Sequence, residues 1–260
     1  MNLYRNLFFL ALLSTALVFT ACEENKGCTD PNSINFDPDA EESDGSCRLP
    51  ELMIHFHPTV NGQDLAYGST YEVNGVNIRF SVAQFYISGL QLSDGSTTDE
   101  PGKYLLVKGD SHMYNAGEVS KGTKTSLAFN VGVDSLTNHL DPTTYEADHP
   151  LAPKNPPMHR NWDAGYQFIK LEGLADANGD GTPEAPFEYH IGKDSSLRGV
   201  SLNIDLNVAS ETNMVNVMVN YAKFLEGLDL TTDLISHTGD FPVIAKTIAD
   251  NSSSVFMPMP

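Results

Sequence analysis

The chain has few cysteines, few cations and a single tryptophan. Its 260 residues include 3 Cys and 1 Trp, with 15 Lys and Arg against 34 Asp and Glu, for a formal net charge of −19. Such an acidic protein repels nucleic acid and anionic lipid headgroups and attracts cations. No Cys-x-x-Cys pair is present, which excludes thioredoxin-like and zinc-ribbon sites. The chain also lacks a Gly-x-Ser-x-Gly elbow, a His-Glu-x-x-His motif and a glycine-rich phosphate loop, so we expect a protein that is not an enzyme.

The N-terminus predicts export. An apolar run from Leu7 to Phe19 is too short to span a bilayer and has the length of a secretory signal. It ends just before Cys22, where a small residue precedes the cysteine as in a bacterial lipoprotein cleavage site. We expect residues 1–21 to be a signal peptide and 22–27 a tether, with Cys22 lipidated and anchored in the outer membrane, facing the periplasm or the cell surface. An ordinary signal peptide with a chance cysteine is the alternative. Loss of one Arg with the signal changes the net charge from −19 to −20.

Cys28 and Cys47 then form one pair, and a disulfide is the default in an oxidising compartment. Residues 28–49 have almost no apolar side chains, so the disulfide must hold this small module together. Closing a loop of about 20 residues is worth roughly 3 kcal/mol. The aspartates of the module suit calcium, and a solvated, stapled spacer is the alternative.

Residues 50–260 alternate between apolar and polar side chains in short runs separated by Gly, Asn and Asp. In one run, Leu202, Ile204 and Leu206 alternate with polar residues. Period two, with turns about every 8–12 residues, predicts an all-β fold, an antiparallel β-sandwich with long loops.

Two segments of this domain predict helices, residues 221–227 and 243–249. Residues 136–157 contain five prolines and little periodicity, so we expect a long, irregular surface loop. It leads directly to Met158.

A histidine pair is the first candidate metal site. His55 and His57 are two residues apart in a predicted strand, so both imidazoles lie on one face, about 6–7 Å apart. Imidazole suits copper or zinc. Two solvated histidines on an outer face are the alternative. The other loop histidines are expected to be background: His112, His139, His149 and His237.

The segment 158–173 is the second candidate. Met158 offers a thioether, which favours Cu(I), and Trp162 follows four residues later. His190 ends another apolar strand. A core tryptophan and a histidine with ordinary hydrogen-bond partners are the alternatives for Trp162 and His190.

A third candidate is a calcium loop. Asp176, Asn178 and Asp180 follow the first ligand spacings of an EF-hand, and Glu184 adds a carboxylate. The twelfth position is Phe187 rather than Glu, which excludes a full EF-hand. A plain Asn-Gly and Asp-Gly turn is the alternative.

Several motifs in succession resemble the MbnP-like family of methanobactin-associated copper-binding proteins over about residues 50–256. They are His-Phe-His at 55–57, Phe-Tyr-Ile-Ser-Gly-Leu-Gln-Leu at 85–92, Phe-Asn-Val-Gly-Val-Asp-Ser at 129–135, Met-x-x-x-Trp-x-x-Gly-Tyr from 158, Phe-Glu-Tyr-His-Ile-Gly at 187–192 and Tyr-Ala-Lys-Phe at 221–224.

The resemblance implies a β-sandwich that binds copper through His55 and His57, with His190 and Met158 completing the site. In some members of that family a tryptophan is oxidised to kynurenine by a partner di-haem enzyme similar to cytochrome c peroxidase, and Trp162 matches the position of that tryptophan. Arg160 stands where the family often has a second aromatic residue.

The leading hypothesis is therefore a lipoprotein that captures or carries copper. The alternative is a calcium-stabilised structural or adhesion lipoprotein of the cell surface, with incidental histidines.

Overall fold

The computed structural model describes residues 25–161, 165–237 and 240–259. The predicted lipidation site Cys22 and the predicted modification site Trp162 lie outside these residues. In chain order the strands are β1 (Lys26–Gly27), β2 (Glu42–Ser43), β3 (Glu51–Val60), β4 (Gln63–Asp64), β5 (Tyr71–Val73), β6 (Val76–Ser93), β7 (Thr98–Asp99), β8 (Leu105–Lys108), β9 (Met113–Glu118), β10 (Gly122–Val131), β11 (His159–Asn161), β12 (Gly165–Ala175), β13 (Ala185–Gly192), β14 (Arg198–Val208), β15 (Thr212–Asn220), β16 (Ile235–His237) and β17 (Phe256–Met259).

Helices are few and short. In the part of the chain that the structure describes, the α-helices are α1 (Ser135–Asn138) and α2 (Pro242–Asn251), and 3-10 turns cover Pro142–Thr144, Asp194–Ser196, Tyr221–Leu225 and Ser252–Ser254. Both segments predicted to be helical therefore contain helical turns. Within the described residues, no helix is long and apolar enough to cross a membrane.

The described strands form three sheets, and the all-β prediction is confirmed. A ten-stranded sheet has the order β14-β10-β6-β12-β13-β16, with β5, β7 and β8 also paired to β6 and β11 to β12. A five-stranded sheet has the order β17-β15-β3-β4, with β9 paired to β3. The third sheet pairs β1 with β2.

The sheets are mixed rather than wholly antiparallel. β3 runs parallel to β15, and β13 runs parallel to β16. For the pair of β3 and β15, the turn after β14 carries the chain from the ten-stranded sheet to the five-stranded sheet instead of closing a hairpin. β15 therefore reaches β3 by a long crossover, which permits the parallel direction.

Aromatic rings fill the space between the two large sheets. Phe129 of the ten-stranded sheet meets Phe256 of the five-stranded sheet edge-on at 5.0 Å between ring centroids. Phe85, also of the ten-stranded sheet, contacts Phe256 with ring centroids 5.6 Å apart, and the ring centroids of Phe56 and Phe129 lie 6.5 Å apart. Edge-to-face pairs of this kind add about 0.5–1.5 kcal/mol each beyond burial of their area. The inward-facing residues thereby fix which face of each strand points outward.

The centre of the ten-stranded sheet tolerates only glycine at one position. A Cβ on Gly173 would lie 1.9 Å from the backbone oxygen of Arg79 on the neighbouring strand β6. This contact explains the glycine that ends the Lys-Leu-Glu-Gly motif of β12.

The long loop predicted at 136–157 packs over the ten-stranded sheet. It begins with α1, and its carbonyl groups accept hydrogen bonds from the sheet: Tyr86 donates to Pro150 at 3.2 Å and Tyr166 to Leu151 at 2.8 Å. Leu151 is fully buried. The loop thus covers the outer face of this sheet.

The N-terminal module is closed by the predicted disulfide between Cys28 and Cys47. The backbone amide of Lys121 donates to the carbonyl of Asn32 at 3.0 Å, and the module is thereby attached to the larger domain.

Candidate metal centre

The outer face of the five-stranded sheet carries the predicted histidine pair. Along β3, Ile54 and Phe56 are buried, whereas His55 and His57 point to the other side and are partly exposed. The ring centroids of His55 and His57 lie 6.1 Å apart. The structure therefore places these two imidazoles on one face, as strand periodicity predicts.

A third histidine joins this pair. His112 precedes β9, and its carbonyl accepts a hydrogen bond from the amide of Phe56 at 2.8 Å. Its ring centroid lies 6.0 Å from that of His55. His112 was predicted to be a background loop histidine, because the antiparallel pairing of β9 with β3 cannot be read from local pattern. We define His55, His57 and His112 as the histidine cluster.

Polar neighbours orient two of these rings. Nδ1 of His55 lies 3.2 Å from Oδ1 of Asn216 on β15, and Nε2 of His57 lies 3.1 Å from Oδ1 of Asp64 on β4. A carboxylate or amide on one ring nitrogen is the usual support for a histidine whose other nitrogen binds a metal.

The three rings of the histidine cluster do not converge as they stand. Among the described residues, the only group of three or more His, Cys, Asp or Glu ligand atoms within 4.8 Å of one another is in the 176–184 loop. A common ion would require the histidine rings to turn, and partly exposed side chains have alternative rotamers for this. The donor set of imidazoles suits copper or zinc.

Met158 lies elsewhere. It is buried beneath the long loop, and its Sδ accepts a hydrogen bond from Nε2 of Gln84 on β6 at 2.9 Å. Gln84 precedes the inward-pointing Phe85, so Met158 packs on the outer face of the ten-stranded sheet.

His190 lies on that same sheet. Gln84, Lys170, His190 and His237 are cross-strand partners in one row over β6, β12, β13 and β16. Nε2 of His190 is 2.7 Å from Oε1 of Glu172, and its Nδ1 is 3.2 Å from Nδ1 of His237. Burial lowers the pKa of His190 below its ordinary value, and the hydrogen bond with Glu172 only partly opposes the shift. For Glu172, burial alone would raise the pKa, but hydrogen bonds with His190 and Lys170 outweigh it and lower the pKa.

The structure does not bring all the predicted copper ligands together. His55 and His57 lie on the outer face of the five-stranded sheet, whereas Met158 and His190 lie on the outer face of the ten-stranded sheet. The expectation of one site with all four residues is therefore corrected to separate locations. Sequence order could not reveal this, because it does not say which strands share a sheet.

The predicted calcium loop is compact. Ligand oxygens of Asp176, Asp180 and Glu184 lie within 4.8 Å of one another. Oδ1 and Oδ2 of Asp176 also accept from the amides of Asp180 and Gly181 at 3.0 and 2.8 Å, and Asn178 accepts from the amide of Asp180 at 2.8 Å. Hydrogen bonds from Thr182 and Asn178 lower the pKa of Asp180. The arrangement serves both as an Asx-type turn and as a set of hard oxygen donors.

Comparison with known proteins places the chain in a family. A family model named MbnP matches residues 50–242. Among solved structures, MbnP from Methylosinus trichosporium has a similar fold, with a TM-score of 0.55 and 16% sequence identity over 74% of this chain and 82% of that chain. A search of curated proteins finds no match. Because the family model spans most of the chain, this protein belongs to the MbnP family.

Proposed function

We propose that this protein binds copper at the histidine cluster and captures or carries the ion without catalysing a reaction. The observation that carries the proposal is the gathering of His55, His57 and His112 on one sheet face, at ring-centroid separations of 6.0 and 6.1 Å. Membership of the MbnP family, which suggests a methanobactin-associated role, is consistent with it.

Each residue has a defined part in this proposal. His55 binds through Nε2, since Asn216 lies at its Nδ1. His57 binds through Nδ1, because Asp64 holds its Nε2. His112 supplies the third imidazole from the loop before β9. The acidic net charge of the chain attracts cations to the protein.

Other elements of the proposal concern residues outside the described part of the chain. Lipid attached to Cys22 would hold the domain at the outer membrane. A di-haem partner enzyme would oxidise Trp162 to kynurenine. Peptide mass analysis of material purified from the native host tests both: unmodified peptides at Cys22 and Trp162 would reject the anchor and the partner, respectively.

The copper assignment is tested by stripping the protein with a chelator and titrating it with Cu(II). We expect His55→Ala/His57→Ala and His112→Ala to weaken binding, and His139→Ala to leave it unchanged. His139 is a matched control because it is an exposed histidine, paired with Asp194 far along the chain. Unchanged affinity in the His55→Ala/His57→Ala variant would reject the site.

A second function rests on the 176–184 loop, where three carboxylates converge. We propose calcium binding here as a structural role in a surface or adhesion lipoprotein, either beside copper binding or in its place. Calcium should raise the melting temperature of the wild type but not of Asp180→Ala/Glu184→Ala. Asp205→Ala, an exposed acid on β14, should respond like the wild type. A calcium response that is the same in all three proteins would reject this site.

A further inference from the structure

The methionines of this protein are concentrated on one surface. Of the 8 in the chain, 7 lie in the described residues, and Met158 is the one buried under the long loop. Strand pairing puts the remaining six on the outer face of the five-stranded sheet. We call this set the methionine face: Met53, Met113, Met214, Met218, Met257 and Met259.

The register shows why they share a face. Cross-strand partners project to the same side of a sheet, and so do residues two apart along a strand. Met53 is the partner of Met214, and Met218 is the partner of both His57 and Met257. The side chain of Phe256 points into the core, which sends those of Met257 and Met259 outward.

The methionine face and the histidine cluster are interleaved. His55 is the cross-strand partner of Met113 on one side and of Asn216 on the other, and Asn216 in turn is the partner of Met259. Neighbouring strands lie about 4.8 Å apart, so each histidine of β3 has a thioether within one or two strand spacings.

Core packing does not explain these side chains. Methionine is usually a buried residue that fills irregular gaps. Here Met257 is 54% exposed, Met113 and Met214 are each 47% exposed, and Met259 is 38% exposed. Asparagine and histidine, rather than leucine, isoleucine or phenylalanine, occupy the positions between them. The face therefore combines exposed thioethers with polar side chains and is not simply apolar.

Thioether sulfur is a neutral, soft ligand that selects Cu(I) over harder ions. Methionine has three rotatable side-chain bonds, which lets paired sulfurs turn towards a common ion. We propose that the methionine face binds Cu(I) at the pairs Met53–Met214 and Met218–Met257, and that the second pair passes the ion, still as Cu(I), to the imidazole of His57 by ligand exchange. This delivery step rests on the copper function proposed for the histidine cluster, whereas Cu(I) binding by the thioethers does not.

The test uses Ag(I), a redox-inert mimic of Cu(I), and the full domain with its methionine methyl groups labelled with ¹³C. Stoichiometric Ag(I) should shift the methyl resonances of the methionine face and leave that of Met158 unchanged. The variant Met53→Leu/Met214→Leu/Met218→Leu/Met257→Leu keeps size and apolar character but removes sulfur. It should bind about two fewer Ag(I) ions, one for each thioether pair. Met158→Leu is the matched control and should bind as the wild type does.

Each outcome is decisive. Unshifted methyl groups, or a four-leucine variant with wild-type Ag(I) stoichiometry, would overturn the inference. Conversely, a His55→Ala/His57→Ala variant that loses Cu(II) but keeps its Ag(I) sites would confirm that the two ligand sets are separate. A third outcome would also overturn the inference. If the wild type binds no Ag(I), and a protein partner binds the wild type and the four-leucine variant equally well, the face is an apolar docking surface and the metal assignment is wrong.

Discussion

A buried ion pair between β10 and β7 of the ten-stranded sheet offers a sharp test of the packing. Nζ of Lys124 on β10 lies 2.7 Å from Oδ2 of Asp99 on β7, and the two side chains are 2% and 20% exposed. The hydroxyl of Ser120 lies 2.7 Å from the same Nζ and 2.9 Å from Oδ2 of Asp99. The ammonium is thus enclosed, whereas the carboxylate keeps some access to water.

The two single variants should therefore differ. Asp99→Asn leaves a buried ammonium without its counter-charge, which costs about 3–5 kcal/mol. For a domain of this size that lowers the melting temperature by about 6–20 °C. Lys124→Met removes the buried charge and leaves a carboxylate that water and Ser120 still satisfy in part, at a cost of about 1–3 kcal/mol.

The decisive measurement is urea unfolding of both single variants and of the double variant, followed by circular dichroism. Adding Lys124→Met to Asp99→Asn should restore stability, because it removes the unpaired charge. A matched control is the exposed pair of Lys26 and Glu42, whose side chains are 58% and 52% exposed. Glu42→Gln should change stability by about 1 kcal/mol or less. A double variant less stable than Asp99→Asn alone would refute the reasoning.

Three further predictions follow from individual contacts. Gly173→Ala should lower the free energy of unfolding by about 1–3 kcal/mol, because the added methyl group overpacks against Arg79. Gly199→Ala should lower it less, since its added methyl group would meet no atom closer than 3.7 Å, and thermal melts of both variants would test this. The pKa of His190 is lowered in the folded state, so the unfolded chain binds a proton more readily, and acidification below about pH 6.5 should destabilise the wild type more than His190→Gln. Equal decreases in melting temperature for the two proteins between about pH 7.5 and 5.5 would contradict this. Reduction of the Cys28–Cys47 bond should expose residues 28–49 to protease and leave the 50–260 domain resistant, as mass analysis of the fragments would show; cleavage throughout the domain would contradict it.

Local pattern was sufficient for much of the fold. Period two located the inward and outward faces of β3, β14 and β15, and the turn residues separated the strands. The disulfide followed from assigning Cys22 to lipid attachment, which leaves Cys28 and Cys47 as one pair in an oxidising compartment. These features depend on neighbours in the sequence, and so they can be read from it.

Pairing between distant strands could not be read in this way. His112 lies beside His55 only because β9 pairs with β3, and the parallel pairing of β3 with β15 brings Met218 next to His57. Met158 was predicted to be a copper ligand because its thioether favours Cu(I) and because it matches the methionine of the family motif. The other methionines are scattered along the chain and were not predicted to form a site. Their common face exists only through strand register.

The parallel contact between β3 and β15 also sets the order in which this surface can form. His55 and Asn216 are 161 residues apart in the sequence, so β3 and β15 can pair only after most of the domain has been synthesised. Contacts of such high contact order form late and slowly, since a long loop must close first. A partly folded chain therefore has scattered histidines and methionines but no assembled face. The proposed ion capture would therefore be coupled to completion of folding, and soft-metal binding would report that β3 and β15 have paired.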